Sequence, residues 1–241
     1  MLTRVRRLAR EKVPPRMLVS ARHASRLLAP PRRVPLGEVI GEGQCGIATI
    51  RSLRWEDADA WGVSMAGNFD RMQEWWGLQP EDRARMTDKV AFAHHLREWE
   101  SRRRRGEGVC LALIGPDGLV GELQVWHLAP GGLTCEAGLW MAPTDMAVTR
   151  SCGGCLGYAF DRLFEQLGIQ RIDAPVAAKN TMPRAFLRLG GFEVDASIER
   201  WRELHGRLVD YDLYGLTQER WDRNRGRARR MLGEWGPRTA A

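Results

Sequence analysis

The chain has 241 residues, 44% of them hydrophobic, which suits one domain with a substantial core. It contains no run of eighteen apolar residues that could cross a membrane. Its five cysteines, at positions 45, 110, 135, 152 and 155, are odd in number and scattered, which argues against a secreted disulfide framework and for a reducing cytoplasm. The net charge of +7 comes from the ends: residues 1–37 carry +9 and residues 219–241 carry +4, so the basic composition says little about what the body binds.

Residues 1–45 form a basic N-terminal extension, rich in proline and ending in the glycine-rich "GEGQCG". Leu2, Val5, Leu8 and Val13 would share one face of a short basic helix, which would suit an RNA-binding or membrane-surface arm or an organellar presequence. The composition favours a flexible leader over these alternatives, and Met17 offers a second start. We therefore expect the folded domain to begin at residue 46.

From Ala48 onward the pattern is that of a globular domain. "ATIRSL" predicts a strand, "WEDADAWGVSM" a helix with acidic residues in its first turn, and 81–104 a second helix whose cationic end is a solvated face. "VCLALIG" and "LVGELQVW", joined by the turn "PDG", predict a hairpin, and "LTCEAGLWM" predicts the next strand.

The second half predicts a loop at 142–151, a helix at 152–167, a strand in "GIQRIDAPVA" and a short helix in "TMPRAFLRLGG". "FEVDASI" and "LVDYDLYGL" predict an antiparallel pair. This order indicates an α+β domain with a mixed sheet over residues 46–221, followed by a basic C-terminal tail at 222–241.

The order of these elements and their punctuating residues resembles the GCN5-related N-acetyltransferase (GNAT) superfamily, and within it the ribosomal-protein alanine acetyltransferase (RimJ/RimL) branch. The matching pieces extend over about 170 positions. They are "IRSLRWEDADAW", "NFDRMQEWW", "GPDGLVGEL", "CEAGLWM", "FEQLGIQRIDAPVAAKN", the pair Gly191-Phe192 and "LVDYDLYGLTQERW".

The resemblance implies an acyl-CoA N-acyltransferase fold: a mixed, mostly antiparallel sheet flanked by helices, with its fourth and fifth strands splayed apart. It also implies an acetyl-CoA donor whose pantetheine lies in the gap, against the fourth strand at Leu139, Trp140 and Met141 and beside Asn180. Pro175 supports the splay independently, because a proline inside a strand lies where its missing N–H is not needed; a simple bulge is the alternative.

The resemblance further implies a phosphate-binding loop of the form Arg/Gln-x-x-Gly-x-Gly/Ala before a helix, where free N–H groups and the helix dipole receive a pyrophosphate. Arg150-x-x-Gly153-x-Cys155 fits literally, but the spacing from Trp140 and Asn180 favours a loop at 147–150. In that register the usual glycines are replaced by Val148 and Arg150, a departure that Arg150 can offset by reaching a phosphate. The predicted contacts are Val148, Thr149, Arg150, Ser151, Cys152 and Gly153.

The pair Cys152 and Cys155, separated by two glycines, admits three interpretations. A redox dithiol at a helix start would have a lowered thiol pKa, and a zinc site would need two more ligands that the isolated remaining cysteines do not offer. Close packing of small side chains at the cofactor helix is the interpretation we favour, and we expect no metal.

Glu136, at the start of the fourth strand, is the candidate general base, because family members carry a glutamate there that acts through water; burial among Leu133, Leu139 and Trp140 would raise its pKa. The alternative is a partly solvated strand charge. Glu122 and His127 are reserve bases. Leu187 stands where many members have a tyrosine acid, and Tyr211 and Tyr214 are expected to pack.

Trp75, Trp76, Trp201 and His205 are predicted to wall the acceptor site. The leading hypothesis is an N-acetyltransferase that acts on a protein N-terminal amine by direct attack in a ternary complex. A small-molecule amine such as an aminoglycoside or a polyamine is the second acceptor class, and a non-catalytic CoA-binding or interaction module with a degenerate loop is the third hypothesis. The basic tails would add a weak RNA or ribosome contact.

Overall fold

The computed structural model describes residues 40–128 and 133–238. They form a nine-stranded sheet in the order β7-β8-β6-β5-β4-β3-β2-β1-β9. The strands are β1 (Gly43–Cys45), β2 (Ala48–Ser52), β3 (Val109–Gly115), β4 (Gly118–Trp126), β5 (Thr134–Met141), β6 (Arg171–Ala177), β7 (Glu193–Leu204), β8 (Arg207–Thr217) and β9 (Trp235–Pro237).

Helices cover both faces of this sheet. They are α1 (Ala58–Trp76), preceded by a 3-10 turn at Trp55–Asp57, α2 (Asp82–Arg85), α3 (Lys89–Arg105), α4 (Met146–Glu165), α5 (Met182–Leu189) and α6 (Gln218–Leu232). Strand alternation divides the core between the faces: Leu111 and Leu113 of β3 pack with α4, whereas Ala112 packs with α1 and α3. None of the described helices is both long enough and apolar enough to cross a membrane.

The predicted fold class, including the splayed pair of strands, is confirmed. Strands β5 and β6 form the parallel pair, and their register runs only from Thr134↔Arg171 to Glu136↔Asp173. Beyond that point β5 continues along β4 and β6 continues along β8, so a gap opens between them. Pro175 lies in β6 just past the last pair with β5, where its lack of an N–H costs nothing on the open side.

The predicted loop at 142–151 is wrong in its second half, because α4 begins at Met146 rather than near residue 152. Asp145 is the N-cap, and its side chain accepts a hydrogen bond of 2.8 Å from the Val148 N–H. Residues 146–150 therefore have helical backbone, which does not require glycine. The predicted helix at 81–104 is likewise divided: α3 begins after the N-cap Asp88, which accepts from the Ala91 N–H.

The ends of the domain differ from the predicted boundaries after residues 45 and 221. Ile40 is fully buried, β1 and β9 pair with each other, and the arginine-rich segment after residue 221 is mostly the helix α6. Trp221 and Ala228 give α6 a buried face that the arginine-rich composition obscured. The predicted arm formed by Leu2, Val5, Leu8 and Val13 lies outside the described residues.

Candidate active site

A cavity of about 670 Å³ begins in the gap between β5 and β6. Its inner part is apolar: Leu139 of β5 and Val176 of β6 face Phe186 and Leu187 of α5 across it. Glu136 and four tryptophans, Trp75, Trp76, Trp99 and Trp126, also line the cavity, and Trp76 and Trp126 lie against Gly138 of β5. One continuous space thus joins an apolar slot to an aromatic mouth, and the lining also carries the charged residues Glu136, Glu203, Arg102 and Arg202. Such a space suits two substrates held side by side.

The inner part suits an extended, mostly apolar chain with a few amide groups. Past Glu136, β5 has no partner in register with β6, so this edge of the strand is open to a ligand. Asn180 lies in the turn after β6, where its N–H bonds to the Ala177 carbonyl at 2.8 Å and its side chain lines the cavity. Leu139 also lines the cavity, whereas Trp140 and Met141 do not.

The Trp140 ring lies on the opposite face of the sheet, where it is buried and its Nε1 donates to Glu122 at 3.0 Å. Strand alternation explains this, since neighbours on a strand point to opposite faces. Any contact that Trp140 makes with a ligand in the gap must therefore come from its backbone.

The residues predicted to bind a phosphate lie in the first turns of α4, but this helix terminus is not a fully open anion-binding site. The Val148 N–H is already taken by the Asp145 carboxylate, which also places a negative charge where an anion would approach. Arg150 is exposed, and no partner for its guanidinium occurs among the described residues. Thr149 is half-buried, with its hydroxyl 2.9 Å from that of Thr144.

The remaining predicted phosphate residues, Ser151, Cys152 and Gly153, are buried inside the structure. Ser151 Oγ accepts from the Ile47 N–H at 3.4 Å, and a Cβ on Gly153 would lie 2.9 Å from Leu232. The structure therefore leaves Arg150 and Thr149 as the side chains of this group that can meet a ligand.

Close packing accounts for the small residues between and after Cys152 and Cys155. A Cβ on Gly154 would lie 2.2 Å from Cys45 Sγ of β1, and one on Gly157 would lie 2.8 Å from the Trp235 ring of β9. Burial raises the pKa of Cys152 to about 12 and raises that of Cys155 as well, the reverse of an activated thiol. All five cysteines are free and buried, so the structure favours packing over a redox role.

A cluster of His95, Cys110 and Glu122 is the one group within the described residues whose ligand atoms lie close enough to hold a metal ion, within 4.8 Å of one another. However, the Glu122 carboxylate already accepts hydrogen bonds from Trp61 Nε1 and Trp140 Nε1 and from the Gln124 side chain, at 2.8–3.0 Å. A cation would have to displace these donors, so the arrangement is that of a satisfied buried carboxylate.

Glu136 lines the cavity, and its side chain is 15% exposed. Its carboxylate is 3.3 Å from both terminal nitrogens of Arg202. The expected apolar burial is only partly correct, because Leu133 is 50% exposed and Trp140 faces the other way. Of the reserve bases, His127 lines the cavity and Glu122 does not.

The predicted acceptor residues divide in two. Trp75 and Trp76, at the end of α1, line the mouth, but Trp201 and His205 do not. Trp201 packs edge-on against Tyr211 with the Arg202 guanidinium 4.2 Å from its ring centre, and His205 lies in the β7–β8 turn with a φ of 51°.

Several lining residues are not among those predicted for the site: Trp99, Arg102, Trp126, Arg202 and Glu203. Tyr211, predicted only to pack, also lines the cavity. The register of β7 shifts between Ile198 and Arg202, where Arg200 has a φ of 49°, so simple alternation along this strand fails. For Trp126 the sequence did hold a signal, because a glycine inside a strand, here Gly138 of β5, often marks a close approach by another group. A Cβ on Gly138 would lie 2.6 Å from the Trp126 ring.

The same fold occurs in known proteins. A family model described as an acetyltransferase (GNAT) domain matches residues 48–193. The solved structure of Mycobacterium smegmatis RimJ in complex with CoA-disulfide matches with a TM-score of 0.70 and 22% identity, over 82% of this chain and 96% of that chain. A search of curated proteins finds no match.

Two further solved structures carry names that state a substrate. The ribosomal-protein-S5-alanine acetyltransferase from Vibrio fischeri matches with a TM-score of 0.62 and 12% identity, over 73% of this chain and 95% of that chain. An acetyltransferase from Salmonella typhimurium, described as modifying the N-terminal serine of ribosomal protein L7/L12, matches with a TM-score of 0.58 and 15% identity, over 71% and 95% of the two chains. At these identities the likeness is one of fold.

Proposed function

This chain belongs to the GNAT family of acetyl-CoA-dependent acetyltransferases, and we propose that it transfers the acetyl group to the N-terminal amine of a protein. The observation that carries the proposal is one cavity that joins an apolar slot, beside the open edge of β5, to the Glu136 carboxylate and an aromatic mouth. The lining carries four tryptophans, whose ring faces suit a cationic chain end with a side chain beside it, and its charged residues are Glu136, Glu203, Arg102 and Arg202. The names of the ribosomal-protein acetyltransferases that share the fold favour the same acceptor.

Each part of the cavity has a role in this proposal. Acetyl-CoA supplies a thioester carbonyl carbon that an amine can attack. The open edge of β5 beyond Glu136 and the side chain of Asn180 would hold its pantetheine arm, and Arg150 would meet a phosphate. Leu139, Phe186 and Leu187 exclude water from the slot, which favours aminolysis over hydrolysis.

Glu136 removes the proton that the acceptor amine must lose. The amine nitrogen forms the new C–N bond as the C–S bond breaks, and its proton passes to the Glu136 carboxylate directly or through one water. Arg202 holds that carboxylate at the cavity wall from 3.3 Å. Leu187 offers no proton, so the leaving thiolate takes one from solvent.

With five free, buried cysteines, the protein suits a reducing cytoplasm.

The substitution Glu136→Gln tests the role of this carboxylate. It keeps the size of the side chain and removes its charge and basicity, and we expect kcat to fall by about a hundredfold or more while acetyl-CoA affinity changes little. The matched control is Glu199→Gln, at an exposed glutamate of β7 outside the cavity lining, which should leave kcat unchanged. Equal rates for the wild type and Glu136→Gln would remove Glu136 as the base.

The acceptor class is tested by thiol release from acetyl-CoA with a panel of peptides bearing free N-termini and a panel of polyamines and aminoglycosides. Faster turnover of the peptides supports the proposal, and faster turnover of the small amines replaces it with the second acceptor class. If calorimetry detects no CoA binding, both acetyltransferase hypotheses fail and the interaction module is left.

A further inference from the structure

The arginines of α6 fall into two groups by whether they form ion pairs. Arg220, Arg225 and Arg229 are half-buried and form ion pairs; their acidic partners are Asp195 and Glu193 for Arg220, Asp161 and Glu165 for Arg225, and Asp161 and Glu234 for Arg229. Arg223, Arg227 and Arg230 are exposed, and no ion-pair partner for them occurs in the part of the chain that the structure describes. Their spacing of four and three residues places them in one stripe, about 10 Å long.

A fourth unpaired guanidinium joins this stripe from a neighbouring helix. Arg188 of α5 is exposed and lines, together with Arg220, Arg223 and Arg227, a concave pocket of about 330 Å³. The acidic residue in the lining is Glu193, which is already paired with Arg220. We call Arg188, Arg223, Arg227 and Arg230 the arginine face.

We propose that the arginine face is a docking surface for RNA. A guanidinium presents a planar fork that matches phosphate oxygens, and a row of them along a helix follows a phosphate backbone. A membrane surface fits less well, because the apolar face of α6, with Trp221 and Ala228, is buried in the core and cannot enter a lipid layer. The choice of RNA over DNA rests on the proposed function, whose support includes the names of the ribosomal-protein acetyltransferases that share the fold, since a protein of the ribosome lies beside RNA.

A second arginine cluster in the same chain provides a matched control. At the end of α3, Arg104 pairs with Glu100 and Arg105 pairs with Glu107, so these exposed cations are already neutralised. The double variants Arg223→Ala/Arg227→Ala and Arg104→Ala/Arg105→Ala remove the same number of exposed arginines, but only the first removes unpaired charge.

The experiment titrates each full-length variant into a fluorescein-labelled RNA hairpin and follows anisotropy at several salt concentrations, without acetyl-CoA or acceptor. We expect Arg223→Ala/Arg227→Ala to weaken binding by about tenfold or more and to reduce the slope of log affinity against log salt by about two. The control double variant should change the affinity by less than about twofold. Acetylation of a free peptide should be the same in the wild type and in Arg223→Ala/Arg227→Ala.

Three results would overturn the proposal: no RNA binding by the wild type at about 50 mM salt, equal losses in the two double variants, or tighter binding to duplex DNA or to anionic vesicles than to RNA. A loss of CoA affinity in Arg223→Ala/Arg227→Ala would do the same, by assigning the face to the acetyl donor. Because RNA binding is measured without turnover, its failure leaves the proposed acetyltransferase activity untouched, and the reverse also holds.

Discussion

Glu122 is a carboxylate with no exposed surface, and its neighbours determine its charge. Burial by itself raises the pKa of Glu122, but His95, whose Nε2 lies 3.0 Å from both oxygens, and the amide and indole donors around it lower the pKa overall. A lowered pKa in the folded state means that the charged form stabilises the fold at neutral pH. This stabilisation is lost as the pH falls from the ordinary value through the folded-state value.

We therefore expect Glu122→Gln to reduce the free energy of unfolding at pH 7 by about 3 kcal/mol, because it leaves several buried donors without their acceptor. The difference from the wild type should shrink as the pH falls below about 4.5, where the unfolded glutamate takes up a proton. Urea denaturation at pH 7, 5 and 4 measures both effects, with the exposed Glu74→Gln as the control. A difference that does not depend on pH would contradict the lowered pKa of Glu122.

Asp145 has two opposing effects at the start of α4. Its side chain caps the helix by accepting from the Val148 N–H, and the same charge opposes an anionic ligand at that terminus. Asp145→Asn keeps an oxygen for the cap and removes the charge. We expect CoA affinity, measured by calorimetry at low salt, to increase about two- to fivefold, the equivalent of about 0.5–1 kcal/mol.

The control for this change is Asp59→Asn, in the first turn of α1, where an exposed aspartate pairs with Lys89. It should leave CoA affinity unchanged. If Asp145→Asn also leaves it unchanged, the phosphates of CoA do not approach the start of α4.

Among the secondary structure elements, α4 shows how a helix can depend on glycine. Glycine normally weakens a helix, yet Gly153, Gly154 and Gly157 allow α4 to contact α6, β1 and β9 at distances that a side chain would prevent. The contacting residues Cys45 and Trp235 are more than a hundred and almost eighty positions away from these glycines in the sequence. The run "SCGGCLG" is thus a contact surface for both ends of the domain.

Gly154→Ala should lower the free energy of unfolding by about 1–3 kcal/mol, because its Cβ would lie 2.2 Å from Cys45 Sγ and 2.8 Å from Cys45 Cβ, so that β1 would have to shift. Gly67→Ala in α1 is the matched control, since no atom outside the helix lies within 4 Å of its added Cβ. This control should raise stability by about 0.5–1 kcal/mol. Thermal denaturation of both variants measures the two changes in stability, and a stabilised Gly154→Ala would show that the close contact does not exist.

The regularity of α1 and the irregularity of β7 explain which predicted acceptor residues line the cavity. Trp75 and Trp76 lie at the end of α1, where helical periodicity held, and both line the mouth. Trp201 lies beside the irregularity in β7, where the strand changes register, and Arg202 lines the mouth instead. A bulge of this kind depends on how two strands pair, so alternation within one strand does not reveal it.

For the molecule as a whole, the two ends of the described chain complete the sheet. Strands β1 and β9 form its final pair, and α6 lies across α4. Asp161 of α4 connects these parts: it is buried and accepts from Trp221 Nε1 at 2.7 Å and from Trp235 Nε1 at 2.8 Å, and it pairs with Arg225. One carboxylate therefore holds both α6 and β9.

Asp161→Asn should lower the free energy of unfolding by about 3 kcal/mol, because the amide nitrogen would face an indole N–H and leave Arg225 without its buried partner. Asp222→Asn, at an exposed aspartate of α6, should change it by less than about 0.5 kcal/mol. Urea denaturation of the two variants provides the comparison. Equal stability of the two would mean that the C-terminal segment is not anchored through Asp161.

The sequence by itself determined the order of the elements, the family and the position of the splay, because periodicity, glycines and prolines act over a few residues and are readable along the chain. It also identified Glu136, Leu139, Asn180, Trp75 and Trp76, all of which the structure places in the cavity. Only the tertiary structure decided that "SCGGCLG" packs against both ends, that Trp201 leaves the mouth, and that the arginines of α6 divide into paired and unpaired groups. Each of these depends on contacts between residues distant in the chain, and a local pattern carries no record of them.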